Sequence, residues 1–87
     1  MNPESALRYP LDFPIKVMGR REPRLVQTVV DIVKHHAPDF DPATIEMRVS
    51  KKSNYLSVTC VFRATSRGQL DALYRELCDH PAVVMVL

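Results

Sequence analysis

Two stretches of helical period, Leu25 to His36 and Leu70 to Cys78, each lie between stretches in which apolar residues return every second position, and this interleaving constrains the fold most. In the first, Leu25, Val29, Ile32, Val33 and His36 recur on one face, Val26 and Val30 widen the stripe, and Pro23 suits the first turn. Valine and isoleucine form isolated helices poorly, so this helix has to be held by packing. Ala37-Pro38 stops it, because the residue before a proline is pushed out of the helical region. The second helix opens on Ser66 with Gln69 three residues later, the spacing of a capping box. Leu70, Leu73, Tyr74, Leu77 and Cys78 then form its stripe, and His80-Pro81 ends it.

The alternating stretches read as strands. Phe13, Ile15 and Val17 share one face against Lys16 and Met18, up to Gly19. After a turn at Asp39 to Pro42, Ile45, Met47 and Val49 alternate with Glu46 and Arg48, the pattern of a half-buried strand. Ser50 to Asn54 is a polar hairpin loop. Beyond it Leu56, Val58, Cys60, Phe62 and Ala64 alternate with Tyr55, Ser57, Thr59, Val61 and Arg63 over a length that suits a central strand. The last stretch, Val83 to Leu87, is apolar on both faces.

The order is therefore βαββαβ in a chain of 87 residues, enough for one core. Right-handed crossovers bring both helices onto one side of a four-stranded antiparallel sheet in the spatial order 4-1-3-2, an α+β, ferredoxin-like split βαβ sandwich. Residues 13–87 make this single domain. Residues 1–12, with two prolines and no period, read as a loose arm.

One face of such a sheet is left without helices, and it has to be hydrated, occupied by a ligand or covered by another chain. Its expected occupants include Lys16, Met18, Glu46, Arg48, Ser57, Thr59, Val61 and Arg63, with either Val84 and Val86 or Val83 and Met85 from the last strand. Met18, Val84, Met85 and Val86 are accordingly the candidate interface residues, and an apolar strand at a sheet edge invites pairing with a second copy.

Several functions find no support. Net charge is +2, with basic and acidic residues interspersed, so no strong phosphate-binding field is indicated. The RNA-recognition motif shares this topology, but it stacks bases on aromatics of the central strands, where this chain offers Ser57, Thr59 and Met18. No nucleic-acid partner is expected. The opening MNPESALRYP has no apolar core and Ala82 to Leu87 is far shorter than the ~20 residues of a membrane helix, so neither export nor membrane insertion is expected and the cytoplasm is the expected location. Cys60 and Cys78 both fall on core stripes, as small buried residues rather than nucleophiles, in a reducing compartment. His35 and His36, with Asp39 and Asp41, resemble metal ligands only in composition, because adjacent helical residues point about 100° apart. No catalytic residue, metal or cofactor is assigned, and the chain reads as a non-enzyme. The one polar constellation with a ligand-binding logic is Gly19, Arg20 and Arg21, where helix-start amides and two guanidiniums meet in the loop before the first helix.

Phe13-Pro14-Ile15-Lys16-Val17-Met18-Gly19, Ser53 to Thr59, Ser66 to Leu77 and Val84-Met85-Val86-Leu87 resemble, in that order, segments of the YbeD-like family of small uncharacterised bacterial proteins. The resemblance runs from about Phe13 to Leu87. It implies a βαββαβ fold like that of the ACT regulatory domains of amino-acid metabolism. It also implies a regulatory or small-ligand-sensing role, a link to lipoate metabolism, and no catalytic residue. Two readings of function follow. One is an ACT-like module that senses a small anionic metabolite or signals to a metabolic enzyme partner, as a homodimer. The other is a protein interaction domain that docks through the open face and the C-terminal edge strand.

Overall fold

The computed structural model describes residues 8–52 and 54–87. Its elements run β1 (Leu11–Arg20), α1 (Leu25–His36), β2 (Glu46–Val49), β3 (Tyr55–Ala64), α2 (Arg67–Asp79) and β4 (Val83–Val86), with a short 3-10 turn at Pro42–Thr44. The sheet is antiparallel in the order β2-β3-β1-β4 with both helices on one face, so the α+β ferredoxin-like architecture stands as the periodicities require. β1 is longer at both ends than the alternation from Phe13 to Gly19 suggests. Leu11 pairs with Ala64 and Arg20 with Tyr55, so the stretch read as the end of a loose arm is sheet; residues 1–7 lie outside the described residues.

The core follows the alternation of the two central strands. Ile15, Val17, Val58 and Cys60 face the helices with 1% exposure or less, and Leu25, Val29, Leu73 and Leu77 meet them from above. At ~25 cal/mol per Å² of apolar surface, each fully buried Leu or Val stabilises the domain by roughly 1.5–3 kcal/mol relative to exposure. Helix α2 is capped as its sequence demands: the Ser66 hydroxyl accepts from the Gln69 amide at 3.1 Å. The return half of the box is displaced by one residue, since Gln69 Oε1 accepts from the Thr65 amide at 2.6 Å. The other end of the Gln69 amide donates to the His36 carbonyl at 2.8 Å, so one side chain ties the start of α2 to the end of α1.

Three expectations need correction. Cys78 is exposed, not part of the core stripe. With Leu70 at 0°, Leu73, Leu77 and Tyr74 fall within about 60° of it, whereas Cys78 sits near 80°, outside the arc that the sheet covers. β2 is not half-buried: every residue of it is exposed, Met47 to 59% and Val49 to 44%, because α1 and α2 lie over β1, β3 and β4 and leave this edge strand uncovered. In β4 neither expected parity holds. Val86 pairs with Val17 and Met85 with Met18, but Gly19 pairs with Val83, so Val84 is the extra residue of a β-bulge. Val83 and Val86 both pack against the core, while Val84 and Met85 are exposed.

Gly19 is the tightest point of the fold. A side chain there would run into the Ala82 carbonyl oxygen and come within 2.7 Å of Leu25 Cδ1. Backbone cannot step aside as a flexible side chain can, and β4 crosses β1 at this point. Gly19→Ala is expected to lower stability by about 1–3 kcal/mol, the range for overpacking a filled site. Urea unfolding would show this as a lower midpoint at unchanged slope.

Candidate functional site

The open sheet face carries a trough built by register. Lys16 and Met18 stand on β1 opposite Thr59 and Ser57 of β3, and the same two β3 residues face Glu46 and Arg48 of β2. Paired residues share a face, so Lys16, Met18, Ser57, Thr59, Glu46 and Arg48 line one surface. A hollow of about 230 Å³ lies between Lys16, Met18, Arg48, Lys51 and Tyr55. A neighbouring one of about 210 Å³ shares Lys16, Arg48 and Ser57 with it and adds Glu46, Met47 and Thr59. Ser57 is buried, and its hydroxyl donates to the Arg48 carbonyl at 3.3 Å, which fixes the floor. Among the described residues, Lys16, Arg48 and Lys51 make no ion pair or side-chain hydrogen bond. Among the described residues, Glu46 is the single carboxylate lining the two hollows. Elsewhere on this face Arg63 is neutralised by Asp12 at 3.2 Å.

The trough was only half visible in the sequence. Lys16, Met18, Arg48 and Ser57 were expected on this face, but Lys51 reads from sequence as a hairpin tip. Here the turn after β2, closed by the Ser50 amide donating to the Tyr55 carbonyl at 2.9 Å, folds Lys51 and Tyr55 over the hollow.

Of the three residues read as the loop before α1, Gly19 and Arg20 are instead the last two of β1, paired with Leu56 and Tyr55, and only Arg21 lies beyond the strand. Gly19 is buried, and the room left by its missing side chain is taken by Leu25 and Ala82 of the chain itself. Arg20 lines an open concavity with Glu22, His80 and Val84, whereas Arg21 lines another with Pro23, Val26 and Leu56. The two arginines therefore line two different concavities that share Glu22. Of the interface candidates, Met18 and Met85 are paired neighbours on the open face and Val84 is exposed beside Arg20, but Val86 stands opposite Val17 on the helix side.

With this geometry in view, the comparisons with known proteins fix the relationship. A family described as "Protein of unknown function (DUF493)" matches residues 4–87. The chain belongs to this family. It is 54% identical over 87 residues to a UPF0250 protein of Nitrosomonas europaea, covering all of both chains. It is 56% identical over 84 residues to a UPF0250 protein of Bordetella pertussis, covering 97% of this chain and 92% of that one. These are the YbeD-like proteins that its segments resemble. Among solved structures, protein HP0495 of H. pylori superposes with a TM-score of 0.74 at 14% identity over 93% of this chain and 85% of that one. The ACT domain of GTP pyrophosphokinase from Chlorobium tepidum superposes with a TM-score of 0.64 at 15% identity over 87% of this chain and 84% of that one. The fold of this DUF493 chain is thus ACT-like. Among the described residues no helix is long and apolar enough to cross a membrane.

The two thiols differ in their chemistry. Burial pushes the Cys60 thiol up to about 11, because an interior without compensating charge disfavours the thiolate. A thiol raised in the folded state gives stability that is complete below its unfolded value of 9.0 and is lost as pH rises toward about 11. In the native protein at mildly alkaline pH, an aromatic disulfide reagent should therefore react with Cys78 alone, and with Cys60 only after denaturant is added. Two equally fast native thiols would contradict this packing.

Proposed function

We propose that this DUF493 chain is a non-catalytic regulatory module that binds a small anionic metabolite in the trough of its open sheet face and passes that occupancy to an enzyme partner. The observation that carries the reading is the set of three cations, Lys16, Arg48 and Lys51, lining one hollow without an ion-pair partner among the described residues. Exposed cations grouped around a concave floor attract carboxylate or phosphate through charge-assisted hydrogen bonds. Met18 and Tyr55 in the same hollow give the ligand's apolar part a surface to cover. The likeness to an ACT domain supports a sensing role, and a lipoyl or octanoyl compound is one ligand class to test.

A second reading has a specific observation behind it. Val84, Met85 and Leu87 are 54%, 48% and 61% exposed along the β4 edge, which suits a protein interaction domain that docks a partner or a second copy there.

Thermal-shift measurements against amino acids, nucleotides, and octanoyl and lipoyl compounds, with light scattering on the same sample, separate the two. A ligand at ~100 times its dissociation constant adds about 2.7 kcal/mol, so a rise of several degrees by one compound is expected. The rise should vanish in Lys16→Ala and Arg48→Ala and persist in Arg20→Ala and Arg21→Ala. The reverse pattern would move the ligand to the loop before α1. No rise with any compound would favour the docking domain, with dimer formation sensitive to Met85→Lys.

A further inference from the structure

The end of α1 and the last turn of α2 bring together polar groups on the side of the molecule away from the trough. Glu76 Oε1 lies 3.1 Å from His35 Nδ1 and 2.7 Å from His36 Nε2. Adjacent histidines on a helix diverge by about 100°, which is why the sequence argued against a shared ligand. They converge here for two reasons. His35 presents the nitrogen nearer the backbone and His36 the outer one, and the rings tilt across each other at 53° with centroids 4.7 Å apart. Glu76 then reaches both from the facing helix. Gln69 stands two turns before Glu76, and its hydrogen bond to the His36 carbonyl holds the end of α1 against α2.

We infer that His35, His36 and Glu76 form a binding site for one divalent cation of the zinc class, independent of the anion-binding trough. The three donor atoms lie within 4.8 Å of one another. Zinc bonds of ~2.0–2.2 Å place neighbouring donors of a tetrahedron roughly 3.2–3.6 Å apart, so the separations to Glu76 need only a small expansion to admit an ion. Two imidazoles and one carboxylate suit Zn²⁺, Ni²⁺ or Cu²⁺, whereas Mg²⁺ and Ca²⁺ take oxygen donors throughout. Ion binding requires each ring proton that points at Glu76 to move to the other nitrogen of its ring, leaving a lone pair for the metal and a neutral imidazole.

Exposure falls from 70% at the His35 side chain to 41% at Glu76 and 16% at His36. The cluster is thus anchored at His36 and open outward, with room for a water or an outside group as fourth ligand. Three protein ligands with an open position resemble a catalytic or bridging metal site more than a closed structural one.

The same contacts would tie two helices together without any metal, so the test has to read the ion itself. Intact chain, stripped with chelator and titrated calorimetrically with Zn²⁺, is expected to bind one ion per chain and to melt at a higher temperature. Glu76→Gln and His36→Ala should each weaken binding by an order of magnitude or more. His35→Ala, at the most exposed position and least costly to folding, should weaken it as well. Cys78→Ser and Lys16→Ala should leave it unchanged, and the Co²⁺-loaded protein should show no thiolate charge-transfer band. Absence of binding, binding that survives Glu76→Gln and His35→Ala, or binding lost in Cys78→Ser would overturn the assignment.

Discussion

The antiparallel pairing of β1 with β3, from Leu11 with Ala64 to Arg20 with Tyr55, is the constraint on which the rest of the molecule depends. Side chains alternate along a strand, so a slip of one residue would exchange every inward and outward group on both central strands. In the observed register Ile15 and Val17 meet Cys60 and Val58 beneath the helices, while Lys16 and Met18 meet Thr59 and Ser57 on the other side. The dry core and the polar trough are two faces of one decision. Gly19 seals it: only a residue without a side chain lets β1 pass under Leu25 and the Ala82 carbonyl, and the same crossing sets where β4 must lie.

The architecture was legible because its signals are local. Two helical stripes, a capping residue three positions from its partner and a ten-residue alternation in β3 fix element type and order without reference to anything distant. What failed depended on distant parts. Met47 and Val49 alternate as faithfully as any core strand, yet they are exposed, because alternation tells which face a residue takes and not whether a helix reaches far enough to cover it. Cys78 failed by about 40° of helix rotation beyond Tyr74, the last covered position on its side, a margin that a list of i, i+3 and i+4 positions does not resolve. The β4 bulge depends on where Gly19 and Val83 meet, a fact of packing with no counterpart in the four apolar residues Val83 to Val86.

The candidate sites share that dependence on long-range placement. Arg20 and Arg21 are neighbours in sequence, which made them look like a pair, but successive residues leaving a strand turn to different sides, and they line separate concavities. Lys16, Arg48 and Lys51 are more than thirty positions apart at the extremes and become neighbours only through β3, which carries no cation of its own between Tyr55 and Thr59. Glu76 is the same case on the helical side: nothing in its surroundings marks it as a partner of His35 and His36 until α2 is laid against α1.

The open face also limits what a ligand there can be. Across it, cations gather toward β2 and the hairpin, and apolar groups gather toward β4, where Met85 adjoins Met18 and Leu87 exchanges backbone hydrogen bonds with Lys16 at 2.8 and 3.1 Å. Lys16 and Met18 form the seam between the two halves. A purely charged ion would use only the β2 side and would compete there with Glu46, losing part of the attraction. A purely apolar one would leave the cations unserved. An anion with an apolar body, head toward Arg48 and Lys51 and body across Met18 toward Met85, uses both halves, and its burial of the β4 edge would remove the surface that the docking reading needs. The two readings therefore compete for the same atoms, and occupancy of the trough would be sensed directly by any chain seated on β4.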